Sequence, residues 1–227
     1  MAITLNAFPL TIVKDQISLD ESYREHLVNR ILAMREQAPE AKAGASWTGD
    51  VHGFEFLHKD PDFDILSEKL AEAARTYMRT LSVNADRFII YFTRSWATVA
   101  RGKERIAPHA HFQSHISLAY YLQKPANAGN LILHQRNQQN EFIGSIFAQR
   151  MIEMGVVEQP SALNSNQISI EAEEGDVIVF PSKTEHSTSP NLTDQDRISI
   201  AVDVVATLRD SDRLEWGLPD IGNWKGY

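Results

Sequence analysis

The chain of 227 residues contains no cysteine. This absence excludes disulfide bonds, thiolate metal ligands and cysteine nucleophiles, so any metal site must use histidine or oxygen ligands. Internal repeats, low-complexity segments and Gly/Ser-rich linkers are missing as well. We therefore expect a single domain that spans residues 1–227.

Long hydrophobic runs are also lacking. The longest ones, such as FIIYF at 88–92 and VIVF at 177–180, have the length of a strand and are far too short to cross a bilayer. The N-terminal residues show no basic region followed by an apolar core, so we expect no signal peptide. The sequence thus predicts a cytoplasmic protein without membrane partners.

Positive charge is scarce. The 22 Lys and Arg residues stand against 30 Asp and Glu residues, which gives a formal net charge of −8. This balance argues against binding to the phosphate backbone of nucleic acid, and we expect no nucleic-acid partner. The composition leaves open whether the chain forms a homo-oligomer.

Two segments near the N-terminus have the apolar spacing of helices. The first contains Ser18 and Glu21, which together predict a capping box at its start. The second begins with Asp60 as the expected N-cap, followed by Pro61 at the first helical position. We expect residues 1–86 to form a helical support region.

After residue 86 the pattern changes to short strands that are rich in β-branched and aromatic residues and separated by turn signals. Many short strands with turns between them, after two helices, indicate a β-sandwich or barrel with helical support. We expect a core at 87–205, a polar insertion at 135–167 and a C-terminal extension at 206–227. The expected strands are 87–93, 96–100, 115–122, 130–134, 167–172, 176–181 and 197–205.

The stretch PHAHFQSHIS, residues 108–117, holds three of the eight histidines of the chain. His109 and His111 are one residue apart, so on an extended backbone both side chains point to the same face and can converge on one ion. Imidazole suits Fe, Zn, Cu and Ni. His186 comes directly after an expected strand, where no packing rule requires a histidine. An HxH pair also occurs by chance, so the pair alone does not establish a metal site.

The segment RISIAVDVV places Arg197 and Ser199 on one face of a strand. An arginine that points inward from such a strand must be paired, because an unpaired buried charge is costly. A bound carboxylate satisfies its planar donor fork, and an ordinary ion pair is the alternative. The apolar residues of the segment share the other face: Ile198, Ile200, Val202 and Val204.

The order of these motifs resembles a known family. The strings HAHFQSHISLAYYLQKPANAGNLIL, GDVIVFPSKTEHSTSPN and RISIA are similar to the small Fe(II)/2-oxoglutarate-dependent oxygenases that carry an HxH motif. A more distant resemblance links them to the aspartyl/asparaginyl β-hydroxylases. The similarity covers about 96–205 and implies a mainly β, cupin-like fold with supporting helices, the double-stranded β-helix or jelly roll, with iron at its open end.

The resemblance also implies roles for individual residues. His109 and His186 match the first and the distal iron ligand, and Arg197 with Ser199 matches the site that binds the carboxylate of 2-oxoglutarate. His111 stands where the family usually has Asp or Glu. It is either a third metal ligand or is turned away, leaving that position to water or a halide. On this basis His109, His186 and Arg197 are the expected catalytic residues.

The activity implied by the resemblance is that of a non-haem dioxygenase that uses Fe(II), 2-oxoglutarate and O₂. Such an enzyme oxidises a C–H bond of a small-molecule substrate, by hydroxylation or desaturation, and releases succinate and CO₂. His115 and Tyr121 are candidates for substrate contacts or ordinary pocket walls. Trp96, just ahead of the metal strand, is expected in the core, with the substrate side of the pocket as the alternative. The insertion at 135–167 is where substrate selectivity is expected.

Three other functions compete with this one. A cupin-type dioxygenase binds iron through three histidines without 2-oxoglutarate, a protein or peptide hydroxylase uses the same cofactors on a larger substrate, and a jelly-roll binding module has no activity. The Arg-x-Ser pattern favours 2-oxoglutarate, because a cupin needs no carboxylate clamp. His109, His186 and Arg197 together argue against the binding module.

Overall fold

The computed structural model describes residues 2–39, 42–135, 138–211 and 217–226. Within these ranges no helix has the length and apolarity to cross a membrane. The α-helices are α1 (Glu21–Gln37), α2 (Asp64–Thr80) and α3 (Gln149–Glu153). The strands are β1 (Val13–Gln16), β2 (Trp47–Thr48), β3 (Phe88–Ala100), β4 (Ile116–Gln123), β5 (Leu131–His134), β6 (Gln167–Ile170), β7 (Asp176–Pro181), β8 (His186–Thr188), β9 (Arg197–Leu208) and β10 (Leu218–Pro219).

The strands in the described part of the chain form two sheets. The larger has the order β1-β7-β4-β9-β3-β2, with β10 added in parallel to β9, and the smaller has the order β6-β5-β8. Apart from β10, all pairs are antiparallel. An isolated bridge between His109 and His186 extends the smaller sheet by one position. This arrangement is a double-stranded β-helix, and the expected fold class is confirmed.

The larger sheet separates two hydrophobic clusters. On its outer face, apolar residues at every second position of β4 and β9 pack against helices α1 and α2, as strand alternation predicts. On its inner face, a smaller cluster that includes Tyr121, Leu131 and Phe180 fills the space toward the smaller sheet. The polar positions of β9 therefore point into the interior of the jelly roll. The outer-face residues of these strands are Ile116, Leu118, Tyr120, Leu122, Ile198, Ile200, Val202 and Val204.

The two expected helix starts have different outcomes. The capping box at Ser18 is wrong, because α1 begins at Glu21 with Asp20 as N-cap and without a side-chain capping bond. The Glu21 carboxylate instead accepts a hydrogen bond from Arg24 Nε at 3.0 Å, so it does not reach back to the chain before the helix. Asp60 does act as a cap: its carboxylate accepts from the Asp62 N–H at 3.1 Å, at the short 3₁₀ turn that leads into α2.

The N-terminal region contributes more than helices. Strand β1 pairs with β7, and β2 pairs with β3, so both edges of the larger sheet are formed by residues before 87. The two strands expected at 87–93 and 96–100 are one strand, β3, with an irregularity in its pairing between Phe92 and Arg94. Both halves pair with β9 and so form one strand. A sequence pattern does not show this pairing. Of the expected insertion and C-terminal extension, 136–137, 212–216 and 227 lie outside the described residues.

Candidate active site

Three histidines meet at one end of the jelly roll. His109 and His186 are joined by two backbone hydrogen bonds, N–H to carbonyl, of 2.9 and 2.8 Å, and their ring centroids are 4.3 Å apart. The backbone N–H of His111 donates to the Ser182 carbonyl at 2.9 Å, which carries the second histidine of the HxH pair to the same place. One ring nitrogen from each residue lies within 4.8 Å of the others. The structure thus brings together the three residues expected to bind metal.

The rings of His109 and His186 are held in the tautomer that binds a metal through Nε2. Nδ1 of His109 lies 2.9 Å from the Ala107 carbonyl oxygen, and Nδ1 of His186 lies 2.9 Å from that of Thr184. A carbonyl oxygen only accepts, so both Nδ1 atoms carry the proton and both Nε2 atoms keep a free lone pair. Burial lowers the pKa of both rings, that of His186 to about 3, so both are neutral ligands at neutral pH. His109 is the most exposed of the three histidines.

His111 is oriented toward the other two histidines rather than away from them. Its Nδ1 donates to Asp203 Oδ1 at 2.6 Å, and Trp96 stacks on the ring at 5.5 Å with an interplanar angle of 12°. Its Nε2 is buried and has no hydrogen-bond partner. A buried polar atom of this kind requires a partner, and a metal ion at the meeting point of the three rings supplies one. The chemistry of this donor set therefore fits iron.

Asp203 lies behind the histidines and is completely buried. Besides the bond from His111, its carboxylate accepts hydrogen bonds from Gln113 Nε2 at 2.9 Å and from Ser114 Oγ at 3.1 Å. Burial alone raises the pKa of Asp203, but the hydrogen bonds from His111, Ser114 and Gln113 outweigh it and hold the pKa below its usual range. The carboxylate is therefore ionised in spite of its burial.

Arg197 is a buried cation, only 1 % exposed. Its Nη1 donates to the carbonyls of Ala128 and Ser189 at 2.9 and 3.2 Å, and its Nη2 donates to Thr188 Oγ1 at 3.0 Å. Its Nε is buried without a partner, and no ion pair joins it to a carboxylate of the described chain. Burial lowers the pKa of Arg197, yet a guanidinium begins so high that it remains charged. A cation buried in this way is costly, and an anion bound beside it would offset the cost.

A cavity of about 430 Å³ is lined by the three histidines, Thr188 and Ser199. Arg197 and Asp203 lie behind its wall and are not among the lining residues. Tyr121 lines it as well and lies opposite Ser199 in the pairing of β4 with β9. Burial raises the pKa of Tyr121 to about 12, so its hydroxyl stays protonated. Ser199 and Tyr121 are thus both placed in the pocket wall.

His115 is not brought to this cavity. Its side chain is exposed, its N–H donates to the Val204 carbonyl at 2.8 Å, and its Nδ1 accepts from the Ala206 N–H at 3.1 Å. A turn at Phe112–Gln113 separates it from His111, so the alternation expected along 109–115 is interrupted. His115 lies on the surface at the start of β4 and is not among the pocket walls.

The geometry agrees with the family that the sequence matches. Residues 94–203 match the model of a family described as "Putative 2OG-Fe(II) oxygenase". By sequence, this segment of the chain belongs to the 2OG-Fe(II) oxygenase family. The matched range contains all three histidines, Arg197 and Asp203. The oxygenase matches no curated protein by sequence.

Solved structures share the fold of this chain. The epimerase SnoN, solved in complex with Fe³⁺, α-ketoglutarate and nogalamycin RO, has a TM-score of 0.57 at 14 % identity, over 94 % of the oxygenase and 92 % of SnoN. HygX from Streptomyces hygroscopicus, solved with nickel and 2-oxoglutarate, has a TM-score of 0.52 at 12 % identity, over 93 % and 92 % of the two chains. At these identities the similarity establishes the fold.

Sequence reasoning missed one residue of the oxygenase site, Asp203, and one contact of Trp96. Asp203 shares the inward face of β9 with Arg197 and Ser199, and a carboxylate on the polar face of a buried strand was the signal that could have found it. Trp96 is buried as expected, but one face of its indole covers the ring of His111. Its position just before the HxH pair gave no indication of that contact.

Proposed function

We propose that this oxygenase holds Fe(II) through His109, His111 and His186 and holds 2-oxoglutarate through Arg197. It couples conversion of 2-oxoglutarate to succinate and CO₂ with oxidation of a C–H bond in a small-molecule substrate, by hydroxylation or desaturation. The observation that carries this proposal is a buried guanidinium with no counter-ion among the described residues, beside a cavity lined by three converging histidines.

The three histidines have one task, to present ring nitrogens to the metal. Their Nδ1 atoms are bound to Ala107, Thr184 and Asp203, so the rings cannot rotate without losing a hydrogen bond. When bound, Fe(II) and 2-oxoglutarate together supply the O₂-activating chemistry. The protein fixes the rings and covers the site on one side with aromatic side chains, among them Trp96 and Phe180.

Arg197 has the donors that a carboxylate needs. A guanidinium has five N–H donors, and three are used by Ala128, Ser189 and Thr188, which leaves the Nε donor and one on Nη2. Two adjacent donors match the two oxygens of a carboxylate. In the adjacent wall, the Ser199 and Tyr121 hydroxyls can donate to the same anion.

The substrate is expected at the opposite end of the cavity. In the pairing of β3 with β9, Ala100 lies beside Arg197 and Arg94 beside Asp203, so the backbones of Arg94 and Arg197 are about 20 Å apart along the sheet. Arg94 lines this end together with Asp50, to which it is ion-paired at 3.2 Å. A volume of about 430 Å³ suits a small polar molecule better than a folded protein. Among fold neighbours, HygX has been crystallised with hygromycin B.

The proposal is tested by anaerobic titration of the protein with Fe(II), with and without 2-oxoglutarate, followed by a succinate assay when O₂ is admitted. We expect the absorption band of a 2-oxoglutarate–Fe(II) chelate, and succinate formation that is lost after metal removal by a chelator and restored by added Fe(II). Iron binding without the band and without succinate, across a panel of small molecules, would support a cupin-type enzyme instead. Succinate formed only in the presence of peptides would identify a peptide hydroxylase.

Gly129 controls the position of the arginine. Its φ is +88°, and a Cβ atom there would lie 2.4 Å from the Ser189 carbonyl oxygen and 2.6 Å from Arg197 Nη1. We expect Gly129→Ala to displace the guanidinium and to raise the Kd for 2-oxoglutarate about tenfold, the cost of roughly one charge-assisted hydrogen bond. Isothermal titration of the Fe(II)-loaded protein measures this change.

The matched control is Gly44→Ala. Gly44 also has a positive φ, +78°, but a Cβ atom there meets no atom of the described residues within 4 Å. Gly44→Ala therefore introduces backbone strain without a collision of the new Cβ atom, and the Kd for 2-oxoglutarate should stay unchanged. Equal effects of the two substitutions would show that Gly129 acts only through backbone strain.

A further inference from the structure

We propose that Asp203 acts through His111 as the negative charge of the iron site, in place of the carboxylate ligand that the commoner two-histidine, one-carboxylate sites carry. This inference rests on the proposed function, because it assumes that the three histidines bind Fe(II). Asp203 touches neither the metal nor the substrate in this assignment. It is a positioning residue.

The first support is the isolation of the charge. Asp203 is 0 % exposed, and the ion pairs of the described residues give it no Lys or Arg partner. Arg94, its neighbour in the β3–β9 pairing, is ion-paired to Asp50 instead. A buried carboxylate without a cation is strongly disfavoured. A divalent metal on the far side of the His111 ring provides the missing positive charge.

The second support is a chain of hydroxyl groups that ends at this carboxylate. Ser117 Oγ lies 2.9 Å from Ser182 Oγ, which lies 2.8 Å from Ser114 Oγ, and Ser114 Oγ lies 3.1 Å from Asp203 Oδ1. Each hydroxyl has a single proton, so the order that satisfies every contact is donation from Ser117 to Ser182 to Ser114 to Asp203. Aligned donors strengthen one another and stabilise a fixed negative charge.

The third support is the rigidity of His111. Asp203 fixes its Nδ1 proton at 2.6 Å, Trp96 covers one face of the ring, and the unpartnered Nε2 is left facing His109 and His186. A carboxylate bound to the second nitrogen of a metal-binding histidine fixes the tautomer and makes the ring a stronger donor. Asp203 thus acts on the metal through the imidazole of His111. An aspartate at position 111 would place the same negative charge directly on the metal.

The test is the affinity for Fe(II) alone, measured anaerobically, in Asp203→Asn. Asparagine keeps the shape and removes the charge, and we expect the Kd for Fe(II) to rise about 10- to 100-fold. The Fe(III)/Fe(II) reduction potential should shift upward, because loss of a nearby negative charge disfavours the higher oxidation state. The control is Asp196→Asn, which neutralises a buried carboxylate bound by Arg101 outside the cavity and should leave Fe(II) affinity unchanged.

A double-mutant cycle separates charge delivery from general stabilisation. In the His111→Asp variant the introduced carboxylate is at the ligand position. Adding Asp203→Asn to this variant should therefore change the Kd for Fe(II) less than about threefold. If Asp203→Asn weakens Fe(II) binding equally in both backgrounds, or in neither, the inference is wrong. It is equally wrong if the unmodified protein binds no Fe(II).

These outcomes differ from those that decide the proposed function. If the cycle shows the expected coupling but no 2-oxoglutarate–Fe(II) band and no succinate appear, then the role of Asp203 stands and the proposed reaction fails. If succinate forms and Asp203→Asn leaves both Fe(II) affinity and reduction potential unchanged, then the reaction stands and the role of Asp203 fails.

Discussion

His186→Ala is expected to abolish tight Fe(II) binding, with a rise in Kd of about 100-fold or more. Losing a residue that binds the metal directly should raise the Kd for Fe(II) by more than the 10- to 100-fold expected for losing a residue that hydrogen-bonds to a ligand. His186 is suited to this role because it is buried, neutral and joined to His109 by backbone hydrogen bonds that remain after substitution. Anaerobic titration with Fe(II), together with succinate formation under O₂, measures the effect.

The control for this substitution is His58→Ala. His58 is a half-buried histidine whose Nδ1 lies 2.7 Å from Ser95 Oγ, and it does not line the cavity. Its replacement removes a ring of the same size from the same domain and should leave Fe(II) affinity unchanged. Tight iron binding by a folded His186→Ala variant would contradict the assignment of the metal site.

Arg197→Ala is expected to raise the KM for 2-oxoglutarate by about 100-fold or more. Two hydrogen bonds between charged groups contribute about 3–6 kcal/mol together, and each 1.4 kcal/mol corresponds to a factor of ten. Fe(II) affinity in the absence of 2-oxoglutarate should stay within a few-fold, since the guanidinium faces Thr188 rather than the histidine rings. Initial rates of succinate formation at varied 2-oxoglutarate measure the change.

Stability has to be measured in parallel. Removal of the guanidinium leaves the carbonyls of Ala128 and Ser189 without their donor, at a cost of about 1–3 kcal/mol in unfolding free energy. Arg197→Lys keeps the charge but not the planar fork, so it should recover part of the affinity. Arg101→Ala removes a guanidinium that binds Asp196 outside the cavity, and its KM should match the unmodified protein. An unchanged KM in folded Arg197→Ala would contradict the proposed carboxylate clamp.

Much of the fold follows from local pattern. The β4 and β9 segments alternate between apolar and polar residues, and their apolar faces are buried against the helices as expected. Alternation is informative here because a strand shifted by one residue would move its entire apolar set to the wrong face. The turn at Phe112–Gln113 interrupts this alternation and keeps His115 away from the cavity. No pattern in the sequence predicts that turn. A turn of two residues after an extended segment leaves no periodic trace.

Helix boundaries show the limit of local reasoning. Ser18 and Glu21 have the spacing of a capping box, yet Glu21 binds Arg24 and the helix begins without that cap. The competing partner lies within one turn, so the choice depends on side-chain conformation rather than on residue type. At Asp60 no such competitor takes the carboxylate oxygen that accepts from the Asp62 N–H. A cap forms there, but on the 3₁₀ turn at Pro61–Phe63 rather than on α2, which begins at Asp64.

The sequence by itself determined the strand content, the resemblance to the oxygenases and the short set of histidines and arginine expected at the site. These are properties of neighbouring residues and of motif order. Only the tertiary structure decided that His111 faces the other histidines, that Asp203 stands behind it and that the described residues give the buried Arg197 no carboxylate partner. His111 and Asp203 are 92 positions apart, and a contact of that range arises from packing the sheets together, which no local pattern encodes.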